Sequence, residues 1–87
     1  MLDPPLAAIG TRSGSEAARV QSRLMELGFW VQSVDGEYGL TTRQAVMAFQ
    51  KYMGFDNPNG KVDDQSAAAL TNMDLRPVAR ANSGTLV

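Results

Sequence analysis

The sequence predicts an all-α domain of three helices joined by glycine-rich loops. Three observations predict it. Apolar residues recur at three- and four-residue steps in three separate segments, the period of a helix with one buried face. Glycines punctuate the boundaries of those segments, at positions 28, 36, 39, 54 and 60. One pattern also occurs twice at a constant offset of 24 residues. Asp35-Gly36-x-Tyr38-x-x-x-Thr42-x-x-Ala45-Val46 aligns with Asn59-Gly60-x-Val62-x-x-x-Ser66-x-x-Ala69-Leu70.

Residues 1–14 read as a linker. Asp3-Pro4-Pro5 resists regular structure, and Thr11 to Gly14 is a short polar run. Ser13 or Ser15 is placed to cap the helix that follows, and Ser13 with Glu16 has the capping-box spacing. The first helix is expected over Glu16 to Leu27, with Ala17, Val20, Leu24 and Leu27 as its apolar stripe and Arg19, Arg23 and Glu26 in water. Gly28 ends it, because glycine takes the left-handed position after a helix without a Cβ clash.

Phe29 to Gly39 reads as a connecting loop. A second helix is expected over Thr41 to Met53, burying Ala45, Val46, Phe49 and Met53, with Gly54 as its stop. A second loop spans Phe55 to Val62, where Asn57-Pro58-Asn59-Gly60 is a strong turn signal. A short third helix follows, Asp64 to Asn72, with Asp63 as N-cap and Ala69, Leu70 and Met73 facing inward. The domain is thus expected over 15–75. Residues 76–87 read as a second linker or the first residues of a further domain.

Composition narrows the function classes. At 87 residues the chain has one-domain length, and a chain that short buries only about 60 % of its unfolded surface. It has no cysteine and no histidine. Disulfides and cysteine metal sites are therefore absent, as are the usual nucleophile and the usual base near neutral pH. Net charge is −1, from eight basic and nine acidic side chains, which gives no clustered basic footprint for nucleic acid. No apolar run approaches the roughly 18 residues of a membrane span, so no membrane insertion is expected. The start, Met1-Leu2-Asp3-Pro4-Pro5, lacks the pattern of a secretion signal, so work outside the cytoplasm would need a segment upstream of this sequence.

The repeat reads as two glycine turns, each feeding a helix. The apolar plug, Tyr38 or Val62, drops into the core beside an Ala-apolar pair. Beyond the repeat, the stretch from Val20 to Leu70 resembles the bacterial peptidoglycan-binding domain found beside cell-wall hydrolases and transpeptidases. The residues that carry the resemblance are Val20-Gln21-x-x-Leu24-x-x-Leu27-Gly28-Phe29-Trp30, then Asp35-Gly36-Glu37-Tyr38-Gly39-x-x-Thr42-x-x-Ala45-Val46-x-x-Phe49-Gln50, then Gly54-Phe55 and Gly60-x-Val62-Asp63-x-x-Ser66-x-x-x-Leu70. Ser66 stands where the family usually has threonine, and the loop from Phe55 to Asn59 is longer than in short members. The resemblance implies a compact three-helix bundle, binding to murein through a stem peptide or glycan, an extracytoplasmic setting in a bacterium, and a catalytic domain attached to the same protein. It implies no cofactor, and the module is expected to be monomeric.

Six residues are candidates for ligand contact: Trp30, Asp35, Tyr38, Thr42, Arg43 and Gln50. Each also has a plain structural reading. Asp35 either accepts backbone N–H bonds within its turn or takes a hydrogen bond from a stem peptide, and Tyr38 is expected to plug the core with its hydroxyl near the surface. Phe29 and Trp30 are adjacent, so both cannot point into a thin core. Phe29 is expected beneath the loop, and Trp30 either lies across the surface, where an aromatic face suits a sugar ring, or seals the core rim. Thr42 is placed to bond the backbone in a first helical turn. Gln50 either orders a loop carbonyl or faces a ligand. Tyr52 and Arg43 are expected to be exposed. The methionines at 25, 47, 53 and 73 are expected as flexible core filler.

Other chemistries fail on spacing. An EF-hand loop starting at Asp35 would place Glu37 at position 3 but Gly39 at position 5, where an oxygen ligand is required. Gly54 to Val62 has a five-residue spacer and a valine where a phosphate loop needs four residues and a hydroxyl. Asp63-Asp64, the adjacent carboxylate pair, sits at a helix start, where acidic residues are favoured anyway. A binding module is therefore expected rather than an enzyme. The alternative is a docking or spacer domain that packs on its neighbour. Animal metalloprotease propeptides of similar fold inhibit through a cysteine, which this chain lacks.

Overall fold

A computed structural model describes residues 5–73. Three helices, α1 (Ser15–Glu26), α2 (Leu40–Tyr52) and α3 (Asp64–Asn72), form an all-α bundle in which α1 lies against both partners. Among the described residues the one β feature is an isolated antiparallel bridge between Gly10 and Val62. Each helix falls within a residue or so of the span that periodicity predicts.

The core is a single cluster. Ala17, Val20 and Leu24 come from α1, Ala45, Val46 and Phe49 from α2, and Ala67 and Leu70 from α3. Ile9, Val31 and Val62 reach it from the connecting segments. Burying each of the larger side chains stabilises the fold by roughly 1.5–3 kcal/mol. The edges of Phe29 and Phe55 meet Phe49, at centroid distances of 5.6 and 6.4 Å. These two phenylalanines follow Gly28 and Gly54, and the helices end there in matching ways. The Gly28 and Phe29 N–H groups donate to the carbonyls of Met25 and Leu24, and those of Gly54 and Phe55 to Lys51 and Gln50. This paired closure satisfies orphan carbonyls and turns the next aromatic back onto the helix.

Four expectations are corrected. Neither Ser13 nor Ser15 caps α1. Gly14 holds the N-cap position without a side-chain bond. Ser13 Oγ is turned away to accept the N–H of Tyr38 at 2.9 Å, and Glu16 pairs with Arg19 at 3.2 Å instead of closing a capping box. Asp63 does cap α3, accepting the Ser66 N–H at 2.8 Å. Arg23 is not simply solvated, because it reaches across to α3, where its Nε donates to the Leu70 carbonyl at 2.6 Å and its Nη2 to that of Met73. Met25 and Met53 are exposed rather than core filler. Met25 lies one position off the Ala17–Val20–Leu24 stripe, and Met53 follows the last residue of α2.

The segment ahead of α1 has no helix or strand, yet it is docked. Ile9 is buried, and Gly10 exchanges two hydrogen bonds of 2.9 Å with Val62. The Leu6 N–H donates to Thr71 Oγ1, and the Gly14 N–H to the Gly36 carbonyl. A stretch with Pro5, Gly10 and Gly14 cannot propagate a ladder, so it binds by single contacts. The expected tail from residue 76 lies outside the described residues.

Candidate functional site

The two glycine corners are built alike at the level of individual hydrogen bonds. At the first, Gln21 reaches from α1 into the loop. Its Oε1 accepts the N–H groups of Asp35 and Gly36 at 3.0 and 2.8 Å. Its Nε2 donates to Glu37 O and Thr42 Oγ1 at 2.9 Å each, and to Asp35 Oδ1 at 3.1 Å. At the second, Gln50 reaches from α2. Its Oε1 accepts the Gly60 N–H at 2.8 Å, and its Nε2 donates to Lys61 O and Ser66 Oγ at 2.9 Å and to Asn59 Oδ1 at 3.4 Å. One buried carboxamide thus ties each helix to the loop after it and to the first turn of the next helix. A buried amide with its donors and acceptor engaged adds rigidity, because any loop movement breaks several bonds at once.

Within each loop the same local bond recurs. Asp35 Oδ1 accepts the Glu37 N–H, and Asn59 Oδ1 accepts the Lys61 N–H, each at 2.9 Å. These are side-chain turns of the Asx type. The intervening glycines, Gly36 and Gly60, both have φ of +78°. A Cβ on Gly36 would stand 3.0 Å from the Gly14 carbonyl oxygen, and one on Gly60 2.6 Å from Arg43 Cγ. Both corners therefore need glycine twice over, for conformation and for space.

The six candidate residues divide by exposure. Trp30 is 68 % exposed, and Phe29 takes the inner position with its ring edge-on to Phe49 and Tyr52. Asp35 and Arg43 are exposed and Tyr38 is half-buried. Thr42 and Gln50 are each only 1 % exposed and are committed to loop bonds, so they lie behind the surface. Thr42 Oγ1 also donates to Glu37 O at 3.3 Å. Tyr38 plugs the core as expected, and its hydroxyl donates to the Gly60 carbonyl at 2.5 Å, joining the two corners.

Two groups have altered proton affinity. The Glu37 N–H, then the Gln21 amide, hold the Asp35 carboxyl below its ordinary value, so it stays charged at neutral pH. Burial pushes the Tyr38 hydroxyl well above the ordinary tyrosine value, with Arg43 acting in the opposite sense.

Gln21 stands at the centre of the first corner although it is not among the six candidates. The signal was present, because an apolar-glutamine pair, Val20-Gln21 and Phe49-Gln50, precedes each glycine corner. A separate shallow depression lies between the N-terminal segment and α3, lined by residues including Leu6, Ala8, Asp64 and Thr71. It contains none of the six. Among the described residues no group of three or more His, Cys, Asp or Glu side chains could hold a metal, and no helix is long and apolar enough to cross a membrane.

Comparisons with known proteins bear on this arrangement. A family described as putative peptidoglycan binding domain matches residues 13–70, which takes in both corners and all but the end of α3. The chain is 44 % identical over 41 residues to the N-acetylmuramoyl-L-alanine amidase CwlM of Mycobacterium tuberculosis, covering 47 % of this chain and about a tenth of the amidase. An L,D-transpeptidase structure from Xylanimonas cellulosilytica is similar with a TM-score of 0.72 and 42 % identity, over 94 % of this chain and 40 % of that one. The SleB N-terminal domain is similar with a TM-score of 0.65 and 28 % identity, over 80 % of this chain and 93 % of that domain.

Proposed function

Because the chain belongs to the putative peptidoglycan-binding domain family, we propose that it is a non-catalytic module that holds an attached cell-wall enzyme on murein outside the cytoplasm. The observation that carries the reading is the pair of glutamine-clamped corners inside the family-matched region, with Trp30 standing exposed on the loop that leads into the first of them. Such a surface is rigid and non-reactive. Trp30 offers an aromatic face to a sugar ring or acyl chain. Asp35 offers a charged acceptor to an amide or amine, with its free oxygen Oδ2 engaged only by Ser33 at 3.2 Å. Thr42 and Gln50 serve from behind by fixing the loops.

A patch of this size binds weakly, with Kd on the order of 1 μM to 1 mM, or about −8 to −4 kcal/mol. Weak binding suffices for a monomeric module on a repeating polymer, because a tethered enzyme meets its substrate at high effective concentration. The likeness to the amidase and the transpeptidase supports an enzymatic neighbour in the same protein, since this chain spans only part of each.

Retention on insoluble sacculi tests the reading. The folded chain is expected to sediment with sacculi, and Trp30→Ala to stay in the supernatant with an unchanged melting temperature. A folded chain that ignores sacculi overturns the proposal and favours docking against a neighbouring domain.

A further inference from the structure

We propose that the second glycine corner and Arg43 together form a carboxylate-binding site that takes a free carboxylate of a murein stem peptide. The proposal rests on the peptidoglycan reading above and names the part of the polymer that is recognised.

The two corners share one scaffold but differ in the charge of the residues beside the glycine. Asp35 and Glu37 flank Gly36, whereas Asn59 and Lys61 flank Gly60. Asn59 Oδ1 is already occupied by the Lys61 N–H and the Gln50 amide, and Lys61 itself is exposed. Arg43 is drawn to the same place. It lies in α2, one residue after Thr42, and its side chain crosses the second corner. Its Cγ and Nε come within 2.6 and 3.3 Å of the point where a Cβ on Gly60 would stand. That close approach exists only because residue 60 is glycine. The corner beneath is fixed by Gln50 and by the Tyr38 hydroxyl on the Gly60 carbonyl.

Among the described residues Arg19 and Arg23 pair with Glu16 and Glu26, but neither Arg43 nor Lys61 has an ion-pair or side-chain hydrogen-bond partner. Both are exposed, on a chain whose net charge is −1. A guanidinium whose stem is packed has lost part of its freedom before any ligand arrives, and its planar fork matches a carboxylate with two parallel bonds. Stem peptides carry free carboxylates, and the hydroxyls of the glycan offer no such group.

The test compares the 87-residue chain with its Arg43→Gln/Lys61→Gln variant on sacculi freed of attached phosphate polymers by acid. Half of the sacculi have their carboxylates converted to amides. On untreated sacculi the double variant is expected to bind about tenfold or more weakly, as loss of charged hydrogen bonds implies. On amidated sacculi wild type falls to the level of the variant. Equal retention of the two proteins on untreated sacculi overturns the carboxylate site alone. Failure of wild type to bind at all removes the peptidoglycan reading with it. Lys61→Glu alone, at an exposed loop position, reads the same charge effect if Arg43→Gln lowers the melting temperature.

Discussion

Replacing Gln50 by leucine keeps the volume of the side chain and deletes every bond that ties α2 to the second corner. The Gly60 N–H and Ser66 Oγ, both on buried residues, lose their partner. The Lys61 carbonyl belongs to an exposed residue and regains water. Each buried orphan costs about 1–3 kcal/mol, and the added apolar burial returns part of that, leaving a net loss of about 3 kcal/mol. A chain of 87 residues holds only about 4–13 kcal/mol in total. At roughly 4–8 °C per kcal/mol the melting temperature should fall by about 12–24 °C. Gln21→Leu is the internal control. Its loop partners Asp35 and Glu37 are exposed, Gly36 is half-buried rather than buried, and Thr42 keeps its bond to the Glu37 carbonyl, so the expected loss is about 1–2 kcal/mol. Thermal melts by circular dichroism should therefore rank wild type above Gln21→Leu above Gln50→Leu. Two variants that melt together, or in the opposite order, would refute the view that burial of the clamped groups sets their worth.

Two further perturbations follow from the same geometry. Asp35 has its pKa lowered by folding, so its contribution is present above the unfolded value near 3.8 and is lost as pH falls through the folded value. Asp35→Asn, which keeps the acceptor found at Asn59, should flatten the loss of melting temperature between about pH 4 and pH 2, and an unchanged acid limb would contradict the assignment. Ile9→Ala, in a segment that precedes the family-matched region, should destabilise by roughly 2–5 kcal/mol in chemical denaturation, whereas a free linker would give no change.

The helices were legible because each buries one stripe of residues, and Ala17–Val20–Leu24 or Ala45–Val46–Phe49 is enough to fix a period. The repeat was legible for a similar reason, since glycine and hydroxyl positions recur at a constant offset. Gln21 escaped because its bonds go to residues 14 to 21 positions away. Its place four after Ala17 and three before Leu24 puts it on the buried stripe, but that spacing does not reveal which loop groups it binds. Ile9 escaped because one apolar residue between Pro5 and Gly10 has no periodicity to reveal its contact. The inward turn of Phe29 and outward turn of Trp30 could be anticipated, since adjacent residues past a helix end cannot share a thin core. Which corner Arg43 lies on could not, because that depends on Gly60 leaving room.

Chemical-shift mapping of the labelled chain with a soluble muropeptide carrying its stem tests the central claim most directly. The account predicts fast-exchange shifts confined to the Trp30 indole, the Arg43 side chain and the loops at 29–39 and 59–61, with the Gln21 and Gln50 carboxamides moving little because they stay clamped. Shifts concentrated on α3 and the N-terminal segment, or none at millimolar muropeptide, would contradict it.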